Sequence, residues 1–340
     1  MAVKVGIITP YAPSLLLVGD DIGKVFSQSG FEVKRYRYLV DWGTAKSQFD
    51  RSLIFTPFDP VSMHSWFLMH LHHLRMGIPT VTYVTTEGQP DERLISNWVK
   101  TDVEVYACSN FVKQMVESVG VKILGVVPHG VDFQYVSQFT TQPRPKTEGV
   151  VFGTVASNLS RKGLKNLSEI ARQVPEATFR VFSTPHAKRH FEGLQNVELV
   201  PKFGGLPREK LLIEMSQFDY YLCTSHSEGF CLPVLEAMAL GKPVIYPDFS
   251  PLNEFANVQA NFSVPVTGIE TKENIDKLAS GIRFLFHYYD VDKMVEAVKT
   301  AIKLRIENFD EYLFRSKQVM ERAREFDIFT TYRKFVELLK

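Results

Sequence analysis

The first third of the chain alternates short runs of β-branched and aromatic residues with longer segments whose apolar positions recur at helical spacing. That order is expected of parallel strands joined by crossover helices. It predicts strands over Val3 to Ile8, Glu32 to Tyr36, Ser52 to Phe55, Thr80 to Val84, Val103 to Ala107 and Ile123 to Val127. The first of these is apolar at nearly every position, so both faces of its sheet must be covered, as helices on each side would do.

Thr140 to Gly149 breaks the pattern. It reads TTQPRPKTEG, in which two prolines forbid a central strand or a helix interior and no residue offers core contact. The alternation then restarts with a strand over Val150 to Ala156, a helix from Leu164, a strand over Thr178 to Phe182 and a helix over Glu209 to Phe218. A strand over Tyr220 to Cys223, a helix over Pro233 to Leu240 and a strand over Val244 to Tyr246 follow. From Lys272 the tail is expected to be mostly helical, ending in an amphipathic stretch with Phe329, Tyr332, Phe335 and Leu338. The expected class is α/β, with Rossmann-like doubly wound domains over residues 1–141 and 150–325, a linker at 142–149 and a terminal helix over about 326–340. Two such domains on a short linker leave a deep cleft, and ligands of open α/β sheets collect at the carboxyl ends of the strands.

Composition narrows the chemistry. Of 340 residues, 45% are hydrophobic and 23% charged, the profile of a globular enzyme. Lys plus Arg (39) against Asp plus Glu (38) leaves +1, so no overall field draws in nucleic acid, and any anion site is local. No apolar run approaches the roughly 20 residues of a membrane span, and Met1 to Pro10 lacks the regions of a signal peptide, so a cytoplasmic protein is expected. Cys108, Cys223 and Cys231 show no C-x-x-C spacing and are expected as reduced thiols.

Several familiar motifs are missing or better explained otherwise. The first turn, Gly6 to Ser14, lacks G-x-G-x-x-G, and no P-loop occurs. Asp290-Val-Asp292 spells D-x-D but opens a helical stretch, so it is read as capping and no metal is assigned. His64, His70, His72 and His73 are read as packing or acceptor-facing rather than metal-ligating. Lys34 to Arg37, near Trp42, reads as a half-exposed strand or as a peripheral membrane contact with anionic headgroups beside a lipid acceptor.

The concentrated chemistry follows the strand ending at Cys223. Glu228, Gly229, Phe230, Cys231 and Leu232 lead into a helix opened by Pro233, which suits a first helical position, and ended by Gly241 and Pro243. Amides near Phe230 to Leu232 at the positive end of that helix suit a phosphate. Glu228 precedes the helix and Glu236 lies in its opening turns; Glu236 by itself also reads as a dipole-compensating surface acid.

The segment EGFCLPVLEAMALGKPV, two glutamates with seven residues between them, resembles the E-x7-E signature of retaining GT-B glycosyltransferases, especially glycosyltransferase family 4. Ala107-Cys-Ser-Asn-Phe-Val, Val127-Pro-His129-Gly130-Val-Asp132 and Ser160-Arg161-Lys162-Gly163 match the family in the same order. The resemblance implies a GT-B fold, two Rossmann-like domains facing each other across the cleft, with the C-terminal helix crossing back onto the first. It implies transfer of a sugar from a nucleotide-diphosphate-sugar donor to a carbohydrate, lipid or protein glycan acceptor, with retention and without metal or other cofactor. It gives Glu228 the donor sugar, Glu236 the ribose hydroxyls, and Arg161 with Lys162 the diphosphate. His129 and Gly130 would face the cleft; Gly130 as a plain turn glycine and Asp132 as a helix cap remain equally open.

The chain departs from the family at Ser157, where an arginine is common, at Cys231, where glycine is common, and at Glu87, where relatives often carry a histidine facing the sugar. Glu87 is an acceptor-side candidate or a solvated loop residue. Lys202 to Gly205 is placed near the base. A nucleotide-sugar epimerase or glycan phosphorylase of the same fold, the latter lacking an identifiable cofactor-binding lysine, and a catalytically silent sugar-nucleotide or glycan-binding protein are the alternatives.

Overall fold

The computed structural model describes residues 2–40, 42–60, 63–103, 105–145, 149–273, 275 and 281–340. Residues 146–148 of the expected linker, Glu104 of the fifth expected strand and the side chain of Trp42 lie outside the described residues. The chain divides into two compact units. The first comprises Met1–Asp132, Lys272–Phe284 and Phe326–Lys340; the second comprises Phe133–Thr271 and Leu285–Glu325.

The first unit holds strands β1 (Lys4–Ile8), β2 (Glu32–Tyr36), β3 (Arg51–Pro57), β4 (Thr80–Thr85), β5 (Gly88–Pro90), β6 (Val105–Ala107) and β7 (Ile123–Val126). Six of them form a parallel sheet in the order β2-β1-β3-β4-β6-β7. Ile7, Leu53, Ile54, Phe55, Tyr83 and Val84 are fully buried, which is why these segments read as continuous apolar runs rather than alternating ones. β5 instead pairs antiparallel with Ile282–Phe284.

Phe326–Lys340 completes this unit. Asp327 caps the short Ile328–Thr331 helix, its side chain accepting from the Phe329 amide at 2.9 Å. The Val131 amide donates to Phe326 O at 2.9 Å, and Ile328 N returns a bond to Val131 O at 3.1 Å. The Phe335 ring lies 4.9 Å from that of Tyr83.

In the second unit β8 (Val151–Val155), β9 (Thr178–Phe182), β10 (Val197–Val200), β11 (Tyr220–Leu222), β12 (Val244–Asp248) and β13 (Phe262–Lys272) run parallel in the order β10-β9-β8-β11-β12-β13. Stacked rings at its centre, Phe152 at 5.5 Å from Phe179 and 5.4 Å from Tyr220, fix the packing of β8, β9 and β11.

One expectation is corrected. The tail is not helical from Lys272, because β14 spans Ile282–Tyr289. Ile282, Phe284 and Phe286 are buried on alternate positions, a period of two that suits a strand, and IRFLFHYY is rich in aromatic residues. The helices begin only after it: Asp290 caps Val291–Glu307 by accepting from Asp292 N at 2.8 Å, the capping role read from the sequence. No helix among the described residues is long and apolar enough to cross a membrane.

Candidate active site

Two loops of the second unit, at the carboxyl ends of the neighbouring strands β8 and β11, carry most of the site. After β8, Ser160–Lys162 makes one 3-10 turn that closes on Gly163 at φ 66°. A Cβ at Gly163 would run into the carbonyl oxygen of Thr224, so only glycine permits both that backbone and that approach. The loops are then laced together. Thr224 Oγ1 donates to Lys162 O at 3.0 Å, the His226 amide to Arg161 O at 2.7 Å, and Arg161 Nη1 to Ser227 O at 3.2 Å.

This lacing brings Glu228, Arg161 and Lys162 together. Lys162 Nζ lies 2.6 Å from Glu228 Oε1, and Arg161 Nη1 lies 3.6 Å from Oε2. Glu228 is 3% exposed and Arg161 7%, so both charges are withdrawn from bulk water and need one another. Burial acts to raise the Glu228 pKa, but the charges of Lys162 and Arg161, with hydrogen bonds from Lys162 and Ser225, outweigh it and leave the carboxyl below its ordinary value.

His226 anchors the β11 loop from behind. Its ring stacks against Phe286 and Tyr289, at 5.5 and 5.3 Å, and Nδ1 lies 3.0 Å from the His287 carbonyl. A carbonyl only accepts, so Nδ1 carries the proton. Tyr289 OH donates to Thr224 O at 2.8 Å, tying β14 to the same loop.

Downstream, the helix Leu232–Ala239 begins at Cys231, whose φ of 80° is the sole left-handed value outside glycine among the described residues. The position therefore demands the conformation that glycine adopts at least cost, and this chain meets it with cysteine. Phe230 turns inward and stacks on Phe255 at 4.8 Å, so its contribution at the loop is its backbone. The helix's first turn points amide donors at the loop. Within it Glu236 is 5% exposed, and its Oε1 lies 2.6 Å from Nη1 of Arg208, at the start of the Arg208–Ser216 helix.

Glu87, His129 and Gly130 belong to the first unit. Glu87 is half-buried in the turn between β4 and β5. The His129 ring is buried against Phe55 and Tyr83. Tyr83 OH donates to Val127 O at 2.7 Å, so His129 Nδ1, 2.8 Å from the same hydroxyl, is a donor to it; burial pushes the His129 pKa down to about 3 and keeps the ring neutral. Gly130 donates its amide to Tyr332 OH at 3.0 Å, and a Cβ there would meet Phe326 O at 2.9 Å, so its glycine serves the C-terminal segment. Asp132 is buried in an ion pair with Lys24.

The remaining candidates sort by packing. His70 and His73 are buried, with Nδ1 atoms 2.7 Å from Thr82 Oγ1 and 3.1 Å from Ser52 Oγ. Lys34 pairs with Glu32 at 2.8 Å and Arg35 with Asp20 at 2.9 Å. Among the described residues no group of three or more His, Cys, Asp or Glu is arranged to hold a metal ion. Sequence reasoning missed Arg208 and His226, because each acts on a residue brought near only by the fold.

Residues 138–307, half the chain, match the family model of glycosyl transferases group 1. Uncharacterized glycosyltransferase 335 of Sulfolobus islandicus rod-shaped virus 1 is 26% identical over 351 residues, covering 98% of this chain and 100% of the relative. A glycosyltransferase from Rickettsia africae superposes with a TM-score of 0.73 at 13% identity, over 100% of this chain and 98% of that one. HepE from Anabaena, crystallised with UDP and glucose, gives a TM-score of 0.62 at 14% identity over 99% of each chain. The fold is that of the GT-B enzymes, and the chain belongs to the group 1 glycosyl transferases, which makes it a glycosyltransferase.

Proposed function

We propose that the enzyme moves a sugar from a nucleoside-diphosphate-sugar donor to an acceptor hydroxyl with retention of anomeric configuration and without a metal ion. The observation that carries this reading is the contact of Glu228 with both Arg161 and Lys162 at adjoining strand ends, beside the helix that bears Glu236. In the free enzyme the two cations share one carboxylate. A donor diphosphate offers them a second anion, and they stabilise the negative charge that grows on it as the sugar leaves. Amides opening the Leu232–Ala239 helix add donors to its oxygens, so the cationic work assigned to a metal in other transferases falls to side chains.

Glu236 accepts the ribose hydroxyls, a charge-assisted contact that fixes the nucleoside. Glu228 lies by the anomeric carbon. Two cations and a lowered pKa make it a poor nucleophile, which favours attack by the acceptor on the leaving group's own face over a glycosyl-Glu228 intermediate. The acceptor is a carbohydrate, lipid or protein glycan, and nucleic acid is not a partner.

The HepE structure contains UDP and glucose, so UDP-glucose is the first donor to try. Thermal-shift titration with uridine, guanosine and adenosine diphosphates tests the donor class, since a bound ligand raises stability by mass action. One diphosphate is expected to respond, its sugar to be turned over at an unchanged rate in EDTA, and the product anomer to match the donor's. An inverted product or a chelator-sensitive rate contradicts the mechanism.

A further inference from the structure

Glu236 poses a question that its motif does not answer. It is 5% exposed, in a helix that is apolar at every other position of Leu232–Ala239, and an ionised carboxylate there is costly unless something compensates it. The compensation comes from outside the motif. Arg208 Nη1 reaches Oε1 at 2.6 Å from a different helix, with its own side chain 24% exposed.

We infer that Arg208 is the positioning residue that orients Glu236 and so sets the enzyme's preference for a ribonucleotide donor over its 2′-deoxy counterpart; this rests on the ribose role of Glu236 given above. An Nη1–Oε1 contact takes one of about four lone-pair sites on the carboxylate and leaves the others for hydroxyl donors. The guanidinium also fixes the carboxylate's rotation before ligand arrives, so less side-chain freedom is lost on binding. Two vicinal ribose hydroxyls can use a carboxylate held in this way. A 2′-deoxyribose presents only one of them and leaves an acceptor unmatched, and specificity of this kind depends on a fixed partner. A lysine at 208 would keep the charge but not the planar donor geometry.

The test measures dissociation constants for paired ribo- and 2′-deoxyribonucleoside diphosphates of uracil, guanine and adenine with wild type, Glu236→Gln, Arg208→Met and Arg208→Lys. The exposed edge of Arg208 makes the lysine variant the safeguard should the methionine variant fail to fold. Wild type is expected to favour the ribo form by about tenfold or more, the scale of a charge-assisted hydrogen bond. Arg208→Met should bring the ribo-to-deoxy ratio close to one with the deoxy affinity nearly unchanged, and Arg208→Lys should fall between. In turnover, Arg208→Met should raise the donor KM far more than it lowers kcat.

A wild-type ratio in both Arg208 variants, with the ratio lost in Glu236→Gln, overturns the inference and leaves the donor reading standing. Equal weakening of ribo and deoxy forms in Arg208→Met also overturns it, since the arginine would then hold the phosphates or the base. A ratio unchanged in Glu236→Gln removes the ribose role of Glu236 and the inference with it, and no diphosphate bound by wild type removes the donor reading as well.

Discussion

At Glu228 the cost of burying a carboxylate is opposed by two adjacent cations, and the cations prevail, holding the carboxyl below its ordinary value. Replacing it by glutamine keeps the shape and removes the charge. Glu228→Gln is expected to lower kcat by about a hundredfold or more, the range seen when one electrostatic stabiliser is lost. Nucleoside-diphosphate affinity should be retained, because Arg161 and Lys162 lose a competing anion; steady-state kinetics beside calorimetric titration separate the two. The same charge links stability to acid. The folded pKa lies below the ordinary 4.5, so the stabilisation is full above that pH and is lost as pH falls through the lowered folded value; acid unfolding of Glu228→Gln should lack this component. Cys231, at φ 80°, makes a converse case. Cys231→Gly should raise the unfolding free energy by about 1 kcal/mol by relieving the left-handed strain, less whatever glycine adds to the unfolded chain's entropy. The Cys231 thiol also shares a hydrogen bond with Cys223, and a lower melting temperature for this variant would show that this bond outweighs the strain.

Elements explain which of these residues could be foreseen. Strands buried on both faces, such as β3 and β4, announced themselves as apolar runs, whereas half-buried β2 was legible from its alternation; the ranges read for β2 and β9 coincide with those observed, and most others agree within a residue or two. The E-x7-E loop was legible because strand, loop and helix are contiguous and each carries its own signal: apolar run, glycine, then Pro233. β14 was missed because its aromatic residues were read with the helical tail, and β10 because four half-buried and exposed residues give no apolar run. Arg208 was out of reach for another reason: no spacing rule connects the start of one helix to the middle of the next. Equally hidden was Lys242, in the turn between the Leu232–Ala239 helix and β12. Burial lowers its pKa to about 8, helped by Arg305 and Arg144 and opposed by Asp219. Asp219 already accepts from the buried Arg305 Nε at 3.0 Å and from the half-buried Arg144 Nη1 at 3.3 Å, so its charge is largely taken before it acts on the buried lysine. Its folded pKa lies below the ordinary 10.5, so the unfolded chain binds more protons between about pH 8 and 10.5 and stability climbs across that window. Lys242→Met is expected to stabilise the protein at pH 7 by on the order of 2 kcal/mol and to flatten that climb, both readable from denaturant titrations at several pH values.

For the molecule as a whole, chain order and compact units do not coincide: the first unit is assembled from three separated segments, the last being Phe326–Lys340. That segment gives the unit Ile328, Tyr332, Phe335, Val336 and Leu339, all buried, and supplies the hydroxyl that receives the Gly130 amide. Ending the chain after Glu325 would expose the Tyr83 and His129 surroundings and leave the Val131 amide without its Phe326 acceptor. Several large side chains lost at about 1.5–3 kcal/mol each approach the whole stability of a typical domain. Hydrogen exchange on the truncated chain should therefore show protection collapsing in β1, β3, β4 and β7. Amides of β8, β9, β11 and β12 should stay protected, because their core of Phe152, Phe179 and Tyr220 takes nothing from the removed segment. Glu228, Glu236, Arg161, Lys162 and Arg208 all lie in that second unit, so the truncated chain should still bind nucleoside diphosphate while losing turnover. Collapse of protection in both units together would mean that the second cannot hold its fold without the first, and loss of diphosphate binding with β8 and β11 still protected would mean that residues of the first unit supply part of the donor grip.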